Sequence, residues 1–400
     1  PELFNLEESF RSLFNEKPIP SRIASQNLVK ILAPTFRLFT NLNDQINIFK
    51  DYSEKVLTDE QERILEETEE DSRKIFLGAA GTGKTFIAMK KANDLASQGK
   101  KVFLTCFNKQ LVHVFRNHCT HENIRIANFH DFLEKVKDQY GFEIEKPIDD
   151  EGRNRYFNET LPELAFDIFS GMDDSEKFDA IIVDEGQDFN ELLYMCLNEM
   201  VKPSGYFYIF ADTHQNLFGN GLESLKEFDI SKHKLTVNLR NTEKINEWAK
   251  PFLNNRRLRY RIEGGLDVEY FAWKSKEEER RLIEKEINLL VSQGLNPNRI
   301  TILSPHRKEN SCLKDVKYIG YGRWEIYEIS EGRKDGICFS TIRAFKGLES
   351  DVVLLIGIKK NSLVCTPADI YVGGTRARFI LKIFHQNDWS MEEMLKEMGR

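Results

Sequence analysis

The stretch IFLGAAGTGKT, Ile75 to Thr85, limits the fold more than any other part of the chain. It reads as a strand, a glycine loop and the start of a helix. Gly78, Gly81, Gly83, Lys84 and Thr85 fit the spacing G-x-x-x-x-G-K-[ST], with Ala79, Ala80 and Thr82 between them. Glycines let backbone N–H groups turn inward around a phosphate, lysine reaches the β- and γ-phosphates, and threonine holds Mg²⁺. The helix that follows aims its positive end at the same anion. A chance glycine turn would lack these flanks.

A second stretch, AIIVDEGQD, supplies the chemistry that such a loop needs. Its apolar strand delivers Asp184 and Glu185 at one end. Asp184 is placed to hold Mg²⁺ with Thr85, and Glu185 to orient and polarise an attacking water. Phe207–Ala211 then leads to Asp212 and to Gln215, a candidate γ-phosphate sensor.

Short apolar runs recur between helical patterns, as expected for buried strands of a parallel sheet. Ile75–Leu77, Val102–Leu104, Ile181–Val183 and Phe207–Ala211 form one series; Ile300–Leu303, Val352–Ile356 and Phe379–Phe384 form another. Ser275 to Val291 reads as a helix, with Ser275 as its N-cap and Gly294 just past its end. Two series imply two α/β domains, with a join near Lys234–Asn238. Residues 1–56 read as a packed but irregular leader. The start at Pro1 is expected to reflect a removed Met or a longer parent.

Composition narrows the class further. The hydrophobic fraction is 40%, the charged fraction is 30%, and no apolar run approaches a membrane span. The six cysteines are scattered and form no CxxC pair, which points to free thiols and a cytoplasmic location. His113, His118, Cys119 and His121 lie close in sequence, but nothing nearby completes a zinc spacing. The net charge of −7 argues mildly against nucleic acid, which usually attracts a basic surface. Locally, Arg256 to Arg261 (RRLRYR) is either a solvated helix end or a phosphate-contacting patch.

The order LTDEQ, GAAGTGKT, DEGQD, ADTHQ, NLR, TIRAFKGLES and YVGGTRA, from Leu57 to Ala377, resembles the superfamily 1 DNA helicases of the UvrD/Rep group. The resemblance implies two RecA-like parallel-sheet domains with ATP and Mg²⁺ in the cleft between them. The first would span 57–235, with a short insertion at about 110–178. The second would span 236–400, with one at about 306–337. It implies that Gln61 reads the adenine edge and that Gln215 senses the γ-phosphate. Arg240 and Arg376 would be inserted from the second domain towards it, Gly347 would permit close approach, and Glu349 would meet the ribose.

The resemblance also implies a single-stranded DNA track through Phe107, Asn108, Lys109, His130, Phe218, Thr341 and Arg343. Phe107 is either a base-stacking ring or a core residue, and His130 a phosphate donor or an N-cap neighbour. Three positions depart from the family. Leu239 stands for an aromatic residue, Asn220 for a tryptophan and Arg343 for a histidine. The minimal layout resembles the helicase part of bacterial proteins that join a nuclease-related domain to such a motor, some of which act against phage. The expected activity is an ATP-dependent single-strand translocase or helicase, 3′ to 5′, acting with a nuclease. The alternative is a regulatory NTPase that gates a nuclease without unwinding.

Overall fold

The strands of the first sheet are apolar because helices cover both of its faces, so even side chains that would alternate in an open sheet are buried. All five residues of Val102–Cys106 are buried. The computed structural model describes residues 41–212, 230–253, 259–332, 334–360, 362 and 364–397, without the side chains of 55–58. Its first sheet contains β1 (Arg73–Gly78), β2 (Val102–Cys106), β3 (Ile124–Asn128), β4 (Phe178–Val183), β5 (Val201–Ala211) and β6 (Lys232–Leu235). The spatial order is β3-β2-β4-β5-β1-β6, and every pair is parallel. The glycine loop after β1 and the DEGQD stretch after β4 therefore open on the same edge, with β5 between them. Ligands of open α/β sheets bind at that carboxyl edge.

A short parallel pair, β7 (Val237–Asn238) with β8 (Arg259–Tyr260), follows β6 directly, where the sequence places the join. The second sheet contains β9 (Glu269–Trp273), β10 (Ile300–Ser304), β11 (Tyr318–Ile319), β12 (Trp324–Glu328), β13 (Ile337–Thr341), β14 (Ser350–Ile358) and β15 (Ala377–Gln386). Its order is β11-β12-β13-β10-β14-β15-β9, parallel except for the β11–β12 hairpin. The chain is thus an α/β protein of two RecA-like parallel sheets. The expected helix forms at Lys276–Ser292; Ser275 Oγ accepts from Glu278 N, and Gly294 follows at φ +87°.

Helix Leu42–Glu67 was not anticipated, and the boundary expected at 56/57 falls inside it. Its two halves serve different cores. Leu42 and Ile46 are buried against the second sheet, and Phe49 meets Phe379 edge-on at 4.8 Å. Ile64 is buried with Phe76 and Leu95 of the first unit. The stretch 110–178 also does more than insert, since it supplies edge strand β3 and the helices Lys109–His118, Phe129–Gln139 and Leu161–Ser170. Between Ser304 and Ile337 stand short turns, the hairpin and β12. Among the described residues no helix is long and apolar enough to cross a membrane, and the six cysteines are unbridged.

Ile46 is 2% exposed, so truncating it leaves a cavity beneath the helix. Ile46→Ala is expected to lower unfolding stability by about 2–5 kcal/mol, read from urea melts. A loss within about 0.5 kcal/mol, the range of surface changes, would show that this half of the helix is not packed.

Candidate active site

Glycine is required at two points of the loop for different reasons. Gly83 has φ +84° and hands the chain to helix Lys84–Ser97. Gly81 has φ +79°, and a Cβ there would lie 2.7 Å from the Asn238 side chain. The loop is roofed by the segment after β7. Leu239 N donates to Gly81 O (2.8 Å), and Asn238 Nδ2 to Ala80 O (3.0 Å). Asn241 Nδ2 in turn donates to Thr375 O (3.0 Å), beside Arg376. Within the loop Ala79 and Ala80 are buried, and Thr82 Oγ1 donates to Ala79 O.

Lys84 Nζ donates to Gly78 O and Ala79 O at 2.9 Å and lies 3.4 Å from Asp212. Thr85 Oγ1 donates to Asp184 Oδ2 at 2.7 Å, so these two oxygens stand together. Burial, then the neighbouring Glu185, pushes the Asp184 carboxyl up to about 7. A buried carboxylate in that position is one that a divalent cation would stabilise. Thr85 and Asp184 therefore fit Mg²⁺ as an oxygen pair.

Glu185 adopts the left-handed region at φ 54°, uncommon for a residue with a side chain. Burial would raise its pKa, but Lys346, Lys84 and Arg376 outweigh burial and hold it below its usual value. Gln187, absent from the sequence-based site, fixes its direction. Gln187 Nε2 donates to Glu185 Oε2, and Gln187 Oε1 accepts from Asp212 N. One amide thus ties the ends of β4 and β5 together at the carboxylate.

The second unit closes over this edge. Gly347 has φ +80°, and a Cβ there would lie 3.5 Å from Glu185 Oε1. Next to it, Lys346 Nζ contacts both oxygens of Asp188, at 2.6 and 2.8 Å, and the two side chains are 2% and 3% exposed. Arg376 is 2% exposed and donates to Val372 O and Leu348 O. Burial, then nearby Arg240, pushes its pKa down. Arg240 Nε meets Glu349 Oε2 at 2.5 Å. Ser350 N donates to Arg376 O, which sets Glu349 and Arg376 side by side at the starts of β14 and β15.

A cavity of about 420 Å³ lies between the two units. Gly81, Gly83 and Thr85 form one end; Phe86, Met89, Leu111, Val114 and Leu239 give it apolar walls; Arg240, Glu349 and Arg378 line the other side. That volume suits a small ligand. Gln61 borders it, 1% exposed, with neither amide atom hydrogen-bonded among the described residues. Native proteins seldom leave a buried amide unpaired, so an orphaned pair here fits a ligand with its own donor and acceptor. The site therefore has the groups that a nucleoside triphosphate and Mg²⁺ need.

The proposed track residues are divided. Gln215 and Phe218 lie outside the described residues, as do Asn220 and Arg256–Leu258. Phe107 is half-buried, edge-on to His130 (4.5 Å) and Phe189 (5.0 Å). His130 also stacks on Phe157 at 4.7 Å. Asn108 caps helix Lys109–His118 and reaches across the cleft, donating to Ala344 O and Lys346 O. Lys109 is exposed and pairs with Asp131. Thr341 Oγ1 accepts from Ala344 N, and exposed Arg343 lies 3.8 Å from Asp369. Four residues of the site were missed altogether: Ser53, Gln187, Lys346 and Arg378. Gln187 and Lys346 sit inside quoted motifs, so adjacency was their only signal; Ser53 and Arg378 carried none.

A family model described as an AAA domain matches residues 61–219. No curated protein matches the chain in sequence. Among solved structures the chain is similar to that of the PRRSV helicase, at 14% identity over 80% of this chain and 54% of that one, with a TM-score of 0.41. It is also similar to the crystal structure of Arterivirus nonstructural protein 10, a helicase, at 13% identity over 81% and 61%, with a TM-score of 0.39. A third is the complex of that Arterivirus helicase with DNA, at 15% identity over 81% and 63%, with a TM-score of 0.38. This chain spans 54% to 63% of the length of those proteins. The glycine loop, its strand order and the matched family model define a P-loop nucleotide-binding fold.

His130 generates a pH dependence. Burial pushes its pKa down to about 4, and its Nε2 has no hydrogen-bond partner among the described residues. An unfolded histidine titrates near 6.5, so between roughly pH 6.5 and 4 the unfolded chain takes up the extra proton. Stability is full above that window and falls as the pH drops through it, by at most about 3 kcal/mol for this group. His130→Phe is expected to flatten this slope in urea melts between pH 7 and 4.5. An unchanged slope would place the acid sensitivity elsewhere.

Proposed function

We propose that this chain is an ATP-driven motor on single-stranded DNA, a translocase or limited helicase of the UvrD-like superfamily 1 type, moving 3′ to 5′. One observation carries the reading. The cavity runs between the glycine loop, with Thr85 bonded to Asp184, on one side and Arg240, Gly347 and Glu349 on the other, and Arg376 stands beside Glu349 at the starts of β15 and β14. A simple nucleotide-binding domain does not need the second wall. Residues from two units that face one triphosphate couple its hydrolysis to the units' relative movement, and such closure is how chemistry becomes movement.

On this reading Gln61 meets the adenine edge and Glu349 the ribose, while Thr85 and Asp184 would hold Mg²⁺, whose charge would offset that of the phosphates. Glu185, aimed by Gln187, accepts the proton of the attacking water. Arg376 and Arg240 face the transferring phosphoryl group, where arginine stabilises developing charge. The strand of DNA would cross Phe107, Asn108, Lys109 and His130, then Thr341 and Arg343. Little surface between Ser304 and Ile337 is available to split a duplex. That favours work beside a partner nuclease in a cytoplasmic DNA-repair or antiphage setting, and it supports the second reading, an NTPase that gates such a nuclease without unwinding.

Lys84→Ala is expected to abolish turnover, and Glu185→Gln to bind ATP yet hydrolyse it slowly. Single-stranded DNA is expected to stimulate ATPase activity, less so as salt rises, because phosphate contacts release counterions. Wild-type turnover by Glu185→Gln would remove its role as base. Lack of stimulation by any single strand would sink the motor; stimulation without strand displacement on a tailed duplex would leave the gating reading.

A further inference from the structure

Glu349 lines the cavity, as does Glu54, and it is held from two sides. Arg240 Nε contacts its Oε2 at 2.5 Å, and Arg378 Nη1 lies 3.5 Å from its Oε1. Its side chain remains 40% exposed, towards the cavity that it lines. Arg240 has a second task on the proposed reading, because it must turn towards phosphate. If it were the sole partner of Glu349, that turn would strand a carboxylate beside the incoming triphosphate. Arg378 has no such conflict.

Arg378 is in turn fixed to helix Leu42–Glu67. Its Nη2 donates to Ser53 Oγ at 3.2 Å. Ser53 is 5% exposed and spends its only proton on Lys50 O at 2.8 Å. Its lone pairs are left for a donor, and arginine is donor-only. Asp351 lies 4.0 Å from Arg378 and 3.3 Å from Arg299, which itself reaches Asn47 on the same helix. The helix that carries Gln61 to the cavity therefore also braces the opposite wall.

We propose that Arg378, braced by Ser53, is a positioning residue that holds Glu349 for the ribose hydroxyls of the nucleotide, and so sets the preference for a ribonucleotide over a 2′-deoxyribonucleotide. This rests on the reading of the cavity as an ATP site with Glu349 at the sugar. Planar, two-pronged arginine suits the role, since it spans a carboxylate and a hydroxyl at once.

The test uses calorimetric binding of ATP and of 2′-deoxyATP to the whole chain, so turnover is not needed, with steady-state ATPase beside it. The unaltered chain is expected to prefer ATP. Arg378→Gln is expected to weaken ATP binding by about tenfold, the scale of a hydrogen bond to a charged group, and to bring the two affinities together. In the ATPase assay KM should rise while kcat stays within about twofold, since the interaction is not with the transition state. Arg378→Lys should restore part of the preference, and Ser53→Ala should lose part of it. Thermal melting checks that each variant folds; if Arg378→Gln fails to fold, Ser53→Ala and Arg378→Lys decide. A loss of preference in Glu349→Gln but in none of the Arg378 and Ser53 variants overturns the positioning role while leaving Glu349 at the sugar. An unaltered preference in Glu349→Gln overturns both. A fall in kcat with KM and preference unchanged in Arg378→Gln also overturns the proposal.

Discussion

The buried pair between Lys346 and Asp188 is the contact on which the cleft depends. One side chain comes from the turn before β14 and the other from the stretch after β4, so the pair exists only when the two units are together. Stripping water from both charges costs several kcal/mol, and the attraction between them offsets little more than that. Its contribution is therefore to specificity more than to stability. A misaligned approach would leave an ammonium and a carboxylate dry and unpaired, which costs far more than an apolar mismatch. Asn108 adds direction, because its amide meets the carbonyls of Ala344 and Lys346 and fixes the backbone that carries the lysine.

This alignment reaches the carboxylate proposed as the base. Lys346 is the strongest of the positive charges acting on Glu185, with Lys84 and Arg376 behind it. Gly347, next in the chain, has φ +80°, which a side chain would strain, and a Cβ there would press on Leu111 at 3.1 Å while only touching Glu185 at 3.5 Å. The KGLE turn thus does two things at once: its lysine sets the charge of the neighbourhood, and its glycine lets the backbone come near. Only a glycine at positive φ, following a buried lysine, satisfies both.

Much of this was legible in the sequence, for physical reasons. Strands buried on both faces must be apolar along their length, so β2, β4, β10 and β14 announce themselves as runs. The loop from Gly78 to Thr85 is legible because phosphate binding fixes spacing along the chain, not merely composition. Edge strands were missed. Arg125 and Ile126 in β3 are not fully buried, and β9 buries only Trp273, so neither reads as an apolar run. Helix Leu42–Glu67 was missed because its apolar positions answer to two cores, with the polar Ser53 and Gln61 bordering the cavity between, and the single stripe of an ordinary helix is lost. Residues that join through tertiary contact, such as Ser53 with Arg378, leave no spacing at all.

The charge pattern of the cleft explains why so many of its groups are doubled. The chain carries net charge −7, yet the cavity must accept a polyanion. Lys84 is held by two loop carbonyls and Asp212, Lys346 by Asp188, and Arg240 by Glu349. Each cation is thus kept in place by partners that a triphosphate would compete with. A cation that leaves its carboxylate for phosphate creates a new repulsion unless a second cation remains behind. Asp184 and Thr85 meet that condition only with a metal ion, and Glu349 meets it with Arg378. A site built of exchangeable pairs holds its shape before the ligand arrives, and the exchange itself distinguishes the two states of the cleft. Arg378 with Ser53 is then the frame against which Arg240 moves, while Lys346 with Asp188 marks the closed cleft.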